Sequence, residues 1–150
     1  MEEARPVEVE IMPNLSVKDG AAAVAFYKEA IGAIELFRFE MDDGDVFAEL
    51  SINGARFFVA DESHPHGNFS PEALGGTTVR IDLLSDDLDG MQARVAAAGG
   101  VEVQPVRDEE AGPRMGVVRD PFGHTWLIGK HWTGARQPGL DKSGAHRVWA

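Results

Sequence analysis

Apolar and polar residues alternate with period two just after Thr77, where Val79, Ile81 and Leu83 interleave with Arg80 and Asp82. That pattern predicts a half-buried strand. The period then lengthens. Leu88, Met91, Val95 and Ala98 recur at helical spacing behind Asp86 or Asp87 as the cap, and Gly99-Gly100 supplies a left-handed stop before a new strand opens at Val101. The chain has this arrangement once before. Residues 12–34 align with it after one single-residue gap, with Leu15 on Leu83, Asp19 on Asp87, Tyr27 on Val95 and Gly32 on Gly99, an offset of about 68 residues. Two copies of one strand–helix unit therefore organise the protein.

In the first copy, Val9, Ile11, Leu15 and Val17 alternate with Glu10, Met12, Asn14 and Ser16, which predicts a strand over 7–17 with an edge or bulge at Pro13. Asp19 caps the first helix, whose buried stripe is Ala23, Phe26, Tyr27 and Ala30, and Gly32 ends it. Strands are expected over 34–41, 46–52 and 55–60, separated by an Asp-Asp-Gly-Asp turn and by the hairpin signal Asn53-Gly54. Phe47 and Glu49 share one face of the middle strand, Ala48 and Leu50 the other. Residues 62–76 are rich in turn formers and long enough to be a lid or a linker. The second copy continues with strands over 101–106, 115–119 and 124–130, a charged loop at 107–113, and the turn Asp120-Pro121-Phe122-Gly123. The fold class is α+β: two tandem βαβββ modules, 7–61 and 77–131, joined by the connection 62–76 and followed by a tail, 132–150.

A chain of 150 residues suffices for one domain or two small modules sharing a core. Its net charge of −11 argues against nucleic acid, whose phosphates need clustered Lys and Arg. The same charge is compatible with a cationic ligand, and equally with simple solubility. There is no cysteine, so disulfides, thiolate catalysis and cysteine-ligated metals are excluded. The longest apolar runs, such as residues 57–60, are far too short to span a bilayer, and the acidic start is unlike a signal sequence. A cytoplasmic protein with no membrane partner is expected.

Three segments carry a resemblance to a known family: NLSVKDGAAAVAFYKEAIGA at 14–33, SPEALGGT at 70–77 and RDPFGHTWLIGKH at 119–131. With the tandem βαβββ plan, they resemble the vicinal oxygen chelate (VOC) superfamily, in its glyoxalase/bleomycin-resistance branch and among its phosphonate-operon B-like members, over about residues 8–131. The resemblance implies a concave mixed sheet around one shared pocket, often completed in a homodimer, and in many members a divalent metal held by four His or Glu side chains. Carried onto this sequence, those four positions fall on Met12, Glu49, Arg80 and Leu127. Of these only Glu49 suits a hard divalent ion: Met12 offers a soft thioether, Arg80 has no lone pair and Leu127 has no ligand atom. No metal cofactor is therefore expected, although Glu49, Asp82 and His64 or His66 could assemble a replacement site.

The expected pocket lining is Met12, Asn14, Phe47, Glu49, Arg80, Asp82, Thr125 and Leu127, apolar surface with a few polar groups. Glu49 and Arg80 either satisfy each other across the sheet, leaving Asp82 for a cationic ligand, or leave Arg80 free for a carboxylate or phosphonate. If there is catalysis, Glu49 or Asp82 is its base. Trp126 is expected in the core and Trp132 is a candidate for stacking on an aromatic ligand, while His124 closes a hairpin. No nucleophilic triad and no glycine-rich phosphate cradle is evident. The reading is a metal-free protein that sequesters a small cationic or aromatic, antibiotic-like ligand at a module or dimer interface. The alternatives are a divalent-metal lyase, isomerase or dioxygenase-like enzyme, and a metal-free enzyme using Glu49 or Asp82.

Overall fold

Both copies of the repeat fold to the same strand order. The computed structural model describes residues 8–107 and 114–130. The first copy runs β1 (Asn14–Val17), α1 (Gly20–Ile31), β2 (Ile34–Glu40), β3 (Val46–Ile52) and β4 (Ala55–Asp61). The connection contains one 3-10 turn (His64–His66) and a single helical turn, α2 (Pro71–Leu74). The second copy runs β5 (Arg80–Leu84), α3 (Leu88–Ala97), β6 (Val101–Arg107), β7 (Met115–Arg119) and β8 (Thr125–Gly129). Each copy makes its own four-stranded mixed sheet, ordered β1-β4-β3-β2 and β5-β8-β7-β6, with the first strand parallel to the last. Among the described residues no helix is long and apolar enough to cross a membrane.

The repeat is visible at the helix starts. Asp19 accepts a hydrogen bond from the Ala22 N–H, and Asp87 accepts one from the Gly90 N–H, so the second cap is Asp87 rather than Asp86. Each satisfies one of the donors a helix start leaves unpaired. Gly32 closes α1 at φ 72°, and Asn53-Gly54 turns β3 into β4 with both residues at positive φ.

The first strand is shorter than its alternation suggests. It covers 14–17 rather than 7–17, and Val9 and Ile11 are 89% and 91% exposed. Its ladder with β4 extends back only as far as the Pro13 carbonyl, which accepts from the Phe58 N–H at 2.8 Å. Before that point no neighbouring strand among the described residues gives the apolar positions anything to cover. Val79 is likewise exposed and precedes β5.

One core serves both modules. Tyr27 on α1 is fully buried, with the rings of Phe26, Phe57, Phe122 and Trp126 at centroid distances of 5.4, 5.8, 6.2 and 5.5 Å. Its hydroxyl donates to Asp120 Oδ2 at 2.5 Å, and Trp126 Nε1 donates to the same oxygen at 2.9 Å. The other carboxylate oxygen accepts from the Phe122 and His124 N–H groups at 2.9 and 3.0 Å. Asp120 is only 3% exposed, and a buried carboxylate is tolerable because four donors replace its water. The turn at Asp120 thus does more than reverse the chain: it ties β7 and β8 of the second module to α1 of the first.

Candidate functional site

β1 and β5 are edge strands, and a cleft of about 960 Å³ opens along them. One wall is apolar: Phe69, Pro71 and Leu74 from the connection, with Val79. The polar groups are Asn14 and Ser16 on β1, Thr78, Arg80 and Asp82 at β5, and His124 from the turn before β8. Leu15 and Val17 face the core, so strand alternation turns Asn14 and Ser16 to the opposite face. Arg80 and Asp82 alternate in the same way with the half-buried Ile81 and Leu83. His124 is buried, and its Nε2 lies 2.9 Å from the Ser16 carbonyl, pinning the turn of the second module to β1.

Of the eight residues expected in the pocket, Asn14, Arg80 and Asp82 line this cleft, and Met12, Phe47, Glu49, Thr125 and Leu127 do not. Thr125 and Leu127 are the direct cross-strand neighbours of Arg80 and Asp82, so they continue the same sheet face beyond the cleft. Phe47 and Glu49 lie on β3, two strands away from β1. There Phe47 packs between Phe37 and Phe58, at 6.5 and 5.0 Å.

Glu49 and Arg80 do not pair. Glu49 accepts from Arg56 Nη1 at 2.9 Å, and Arg56 also contacts Glu10. Among the described residues neither Arg80 nor Asp82 has an ion-pair partner. The cleft therefore presents an unneutralised guanidinium and an unneutralised carboxylate two residues apart on one strand. The sequence reading placed Ser16 on the open face of the first strand without naming it for the pocket, and it missed Phe69, Leu74 and Thr78 because they lie in the connection and its end, which carry no periodic signal.

The loop histidines are engaged locally. His64 Nε2 lies 3.3 Å from Glu62 and its ring packs at a tilt against Phe69, centroids 4.9 Å apart, while His66 Nδ1 is 2.7 Å from the Ser63 hydroxyl. Glu62 also accepts from the Ser70 N–H, and these bonds, Ser70 first, hold its carboxyl below the usual range. Among the described residues no three His, Asp or Glu side chains gather where they could hold a metal ion, so Glu49, Asp82, His64 and His66 are not brought together. His131 and Trp132 lie outside the described residues.

Comparison with known proteins fits this architecture. A family model for the Glyoxalase/Bleomycin resistance protein/Dioxygenase superfamily matches residues 9–128. The chain belongs to that superfamily. The Mycobacterium bovis protein Mb0911c is 39% identical over 128 residues, 83% of this chain and 84% of that protein. The structure of the Arabidopsis thaliana At5g48480 gene product superposes with a TM-score of 0.63 at 33% identity, covering 83% of this chain and 98% of that one. TioX from Micromonospora sp. ML1 gives 0.62 at 26% identity, covering 83% and 100%.

Many VOC proteins hold a divalent metal, and the sheet register identifies which residues of this chain stand at matching positions. Asp82 on β5 pairs with Leu127 on β8, and the matching pair in the first module is Asn14 on β1 with Phe58 on β4. The first-module counterpart of Leu127 is thus Phe58 rather than Glu49, which lies one strand farther out. With Phe58, Leu127 and the Arg80 guanidinium at these positions, the residues present do not fit a divalent ion.

Proposed function

We propose that this VOC protein binds a small organic ligand in the β1–β5 cleft without a metal ion, and acts by sequestering it. The observation that carries the reading is the pair Arg80 and Asp82, opposite charges on one strand, both without ionic partners among the described residues and both facing a cleft with an apolar wall. Such a lining suits an antibiotic-like molecule with an aromatic or aliphatic body and both an acidic and a basic end. Phe69, Leu74 and Val79 would cover the body, while Arg80 and Asp82 fix its direction. Covering about 150 Å² of apolar ligand contributes about 4 kcal/mol before the costs of association. Each exposed ionic contact adds about 1 kcal/mol.

The test is a panel of aromatic amines, aromatic carboxylates and aromatic zwitterions, scored by thermal melting of the full chain in EDTA. A binder at one hundred times its Kd stabilises by about 2.7 kcal/mol, or roughly 5–10 °C at this chain length. Arg80→Gln should weaken the acids, Asp82→Asn the amines and both the zwitterions, each about fivefold. A panel with no hits, or hits indifferent to both substitutions, overturns the proposal.

A homodimer belongs to the same reading. Phe37 and Phe39 lie exposed beside Phe47 and Phe58 on the open face of the first sheet, an apolar patch of the kind that second copies cover. Sedimentation showing only monomer at micromolar concentration would remove that part.

A further inference from the structure

Arg38, Arg56, Arg94 and Arg114 each sit against a carboxylate: Glu35, Glu49, Asp87 and Asp89 respectively. Among the described residues Arg80, Arg107 and Arg119 do not. Two of these three stand in one row. Arg80 on β5 pairs with Thr125 on β8, and Thr125 pairs in turn with Arg119 on β7. Directly paired residues point to the same side of a sheet. The adjoining row, Ile81, Trp126 and Val118, turns the other way into the core, which places Arg80, Thr125 and Arg119 together on the open face. Strand spacing puts the two arginine Cα atoms roughly 9–10 Å apart with a threonine hydroxyl between them. Arg107 is paired with Met115, at the opposite end of β7.

Two exposed guanidiniums with no ionic partner among the described residues, set on either side of one hydroxyl, leave room for an anion to bridge them. In a chain with net charge −11, the absence of a carboxylate partner for either among the described residues runs against the overall composition. We infer that the Arg80–Thr125–Arg119 row is an oxyanion site that takes the doubly charged, phosphate-type end of a small molecule whose body lies in the cleft. The two guanidinium forks divide three terminal oxygens, sharing one, and the Thr125 hydroxyl donates to the shared oxygen, a division of contacts that suits a tetrahedral dianion better than a single carboxylate. Arg80 stands at the cleft lip and belongs to both parts. The inference rests on the cleft-binding reading and adds Arg119 and Thr125 to it.

The probe is inorganic phosphate, titrated into the ¹⁵N-labelled full chain at pH 8 with sodium chloride holding ionic strength constant, and acetate is titrated in parallel. Saturable amide shifts centred on residues 80, 119 and 125 are expected. Arg80→Gln and Arg119→Gln should each weaken phosphate at least fivefold, and the double variant should abolish saturation. Arg119→Lys should retain part of the binding, because the charge stays and the fork is lost. Shifts that chloride alone reproduces, acetate binding as tightly as phosphate, or an Arg119→Gln variant that titrates like wild type would each overturn the site. The two readings fail separately. Phosphate binding through both arginines with no organic hit sinks the cleft proposal and keeps the row. An organic ligand that needs Arg80 but ignores Arg119 does the reverse.

Discussion

Replacing Tyr27 by phenylalanine removes one oxygen from the contact that joins the two modules. The ring keeps its place among Phe26, Phe57, Phe122 and Trp126, so the packing term is nearly unchanged and the effect reports the hydroxyl. That hydroxyl is one of four donors to a buried carboxylate. A hydrogen bond to a charged group contributes about 1.5–3 kcal/mol, and here loss leaves Asp120 Oδ2 with only Trp126 Nε1. At about 2–4 °C per kcal/mol for this chain length, Tm should fall by roughly 3–12 °C, with m in urea unchanged. Alkali gives an independent readout. Burial first, and the Asp120 charge second, push the phenol well above its ordinary value of 10.0. The unfolded chain therefore loses this proton near pH 10 while the folded chain keeps it, so the contribution is whole below pH 10 and declines as pH rises beyond it. Wild type should lose up to about 1.4 kcal/mol per pH unit above 10 that Tyr27→Phe does not lose. Tyr27 is the chain's single tyrosine, so absorbance at 295 nm follows it without interference. A variant with wild-type Tm, or a native chain whose tyrosine titrates near 10, would refute the account of this contact.

Other substitutions probe the remaining joints. Gly123→Ala forces a left-handed φ of 93° on a side chain whose Cβ would lie 2.8 Å from Pro71 Cβ. A loss of about 1–2 kcal/mol from the backbone alone is expected in urea melts, together with displaced resonances in the connection beside the cleft. Glu49→Gln should leave panel binding and phosphate titration within twofold of wild type, because Glu49 is paired with Arg56 away from the cleft. Calorimetry showing a tenfold loss would return Glu49 to the site.

Much of the fold could be read from the chain because both copies carry their own punctuation. Asp19 and Asp87, Gly32, Asn53-Gly54 and the Asp120–Gly123 turn act locally, through caps and positive φ, and the structure uses all of them. Alternation misled where it had no partner: Val9 and Ile11 repeat with period two, yet only 14–17 finds a neighbouring strand. The site was less legible. Period two correctly assigned Asn14, Arg80 and Asp82 to the open face, but it cannot say which strand is next to which. Pairing order therefore separated Glu49 from Arg80 and put Phe58, not Glu49, in the place matching Leu127. Phe69 and Leu74 join the cleft through the irregular connection, whose path depends on contacts such as Ser70 N–H to Glu62.

Amide mapping of the full chain with an aromatic zwitterion, first in EDTA and then with zinc, decides whether the β1–β5 cleft binds a ligand without a metal. Saturable shifts are expected at Asn14, Ser16, Phe69, Arg80, Asp82 and His124 in EDTA, unchanged by the metal. Shifts confined to β2 and β3 around Phe37 and Phe47, or appearing only after zinc is added, would overturn metal-free binding in this cleft.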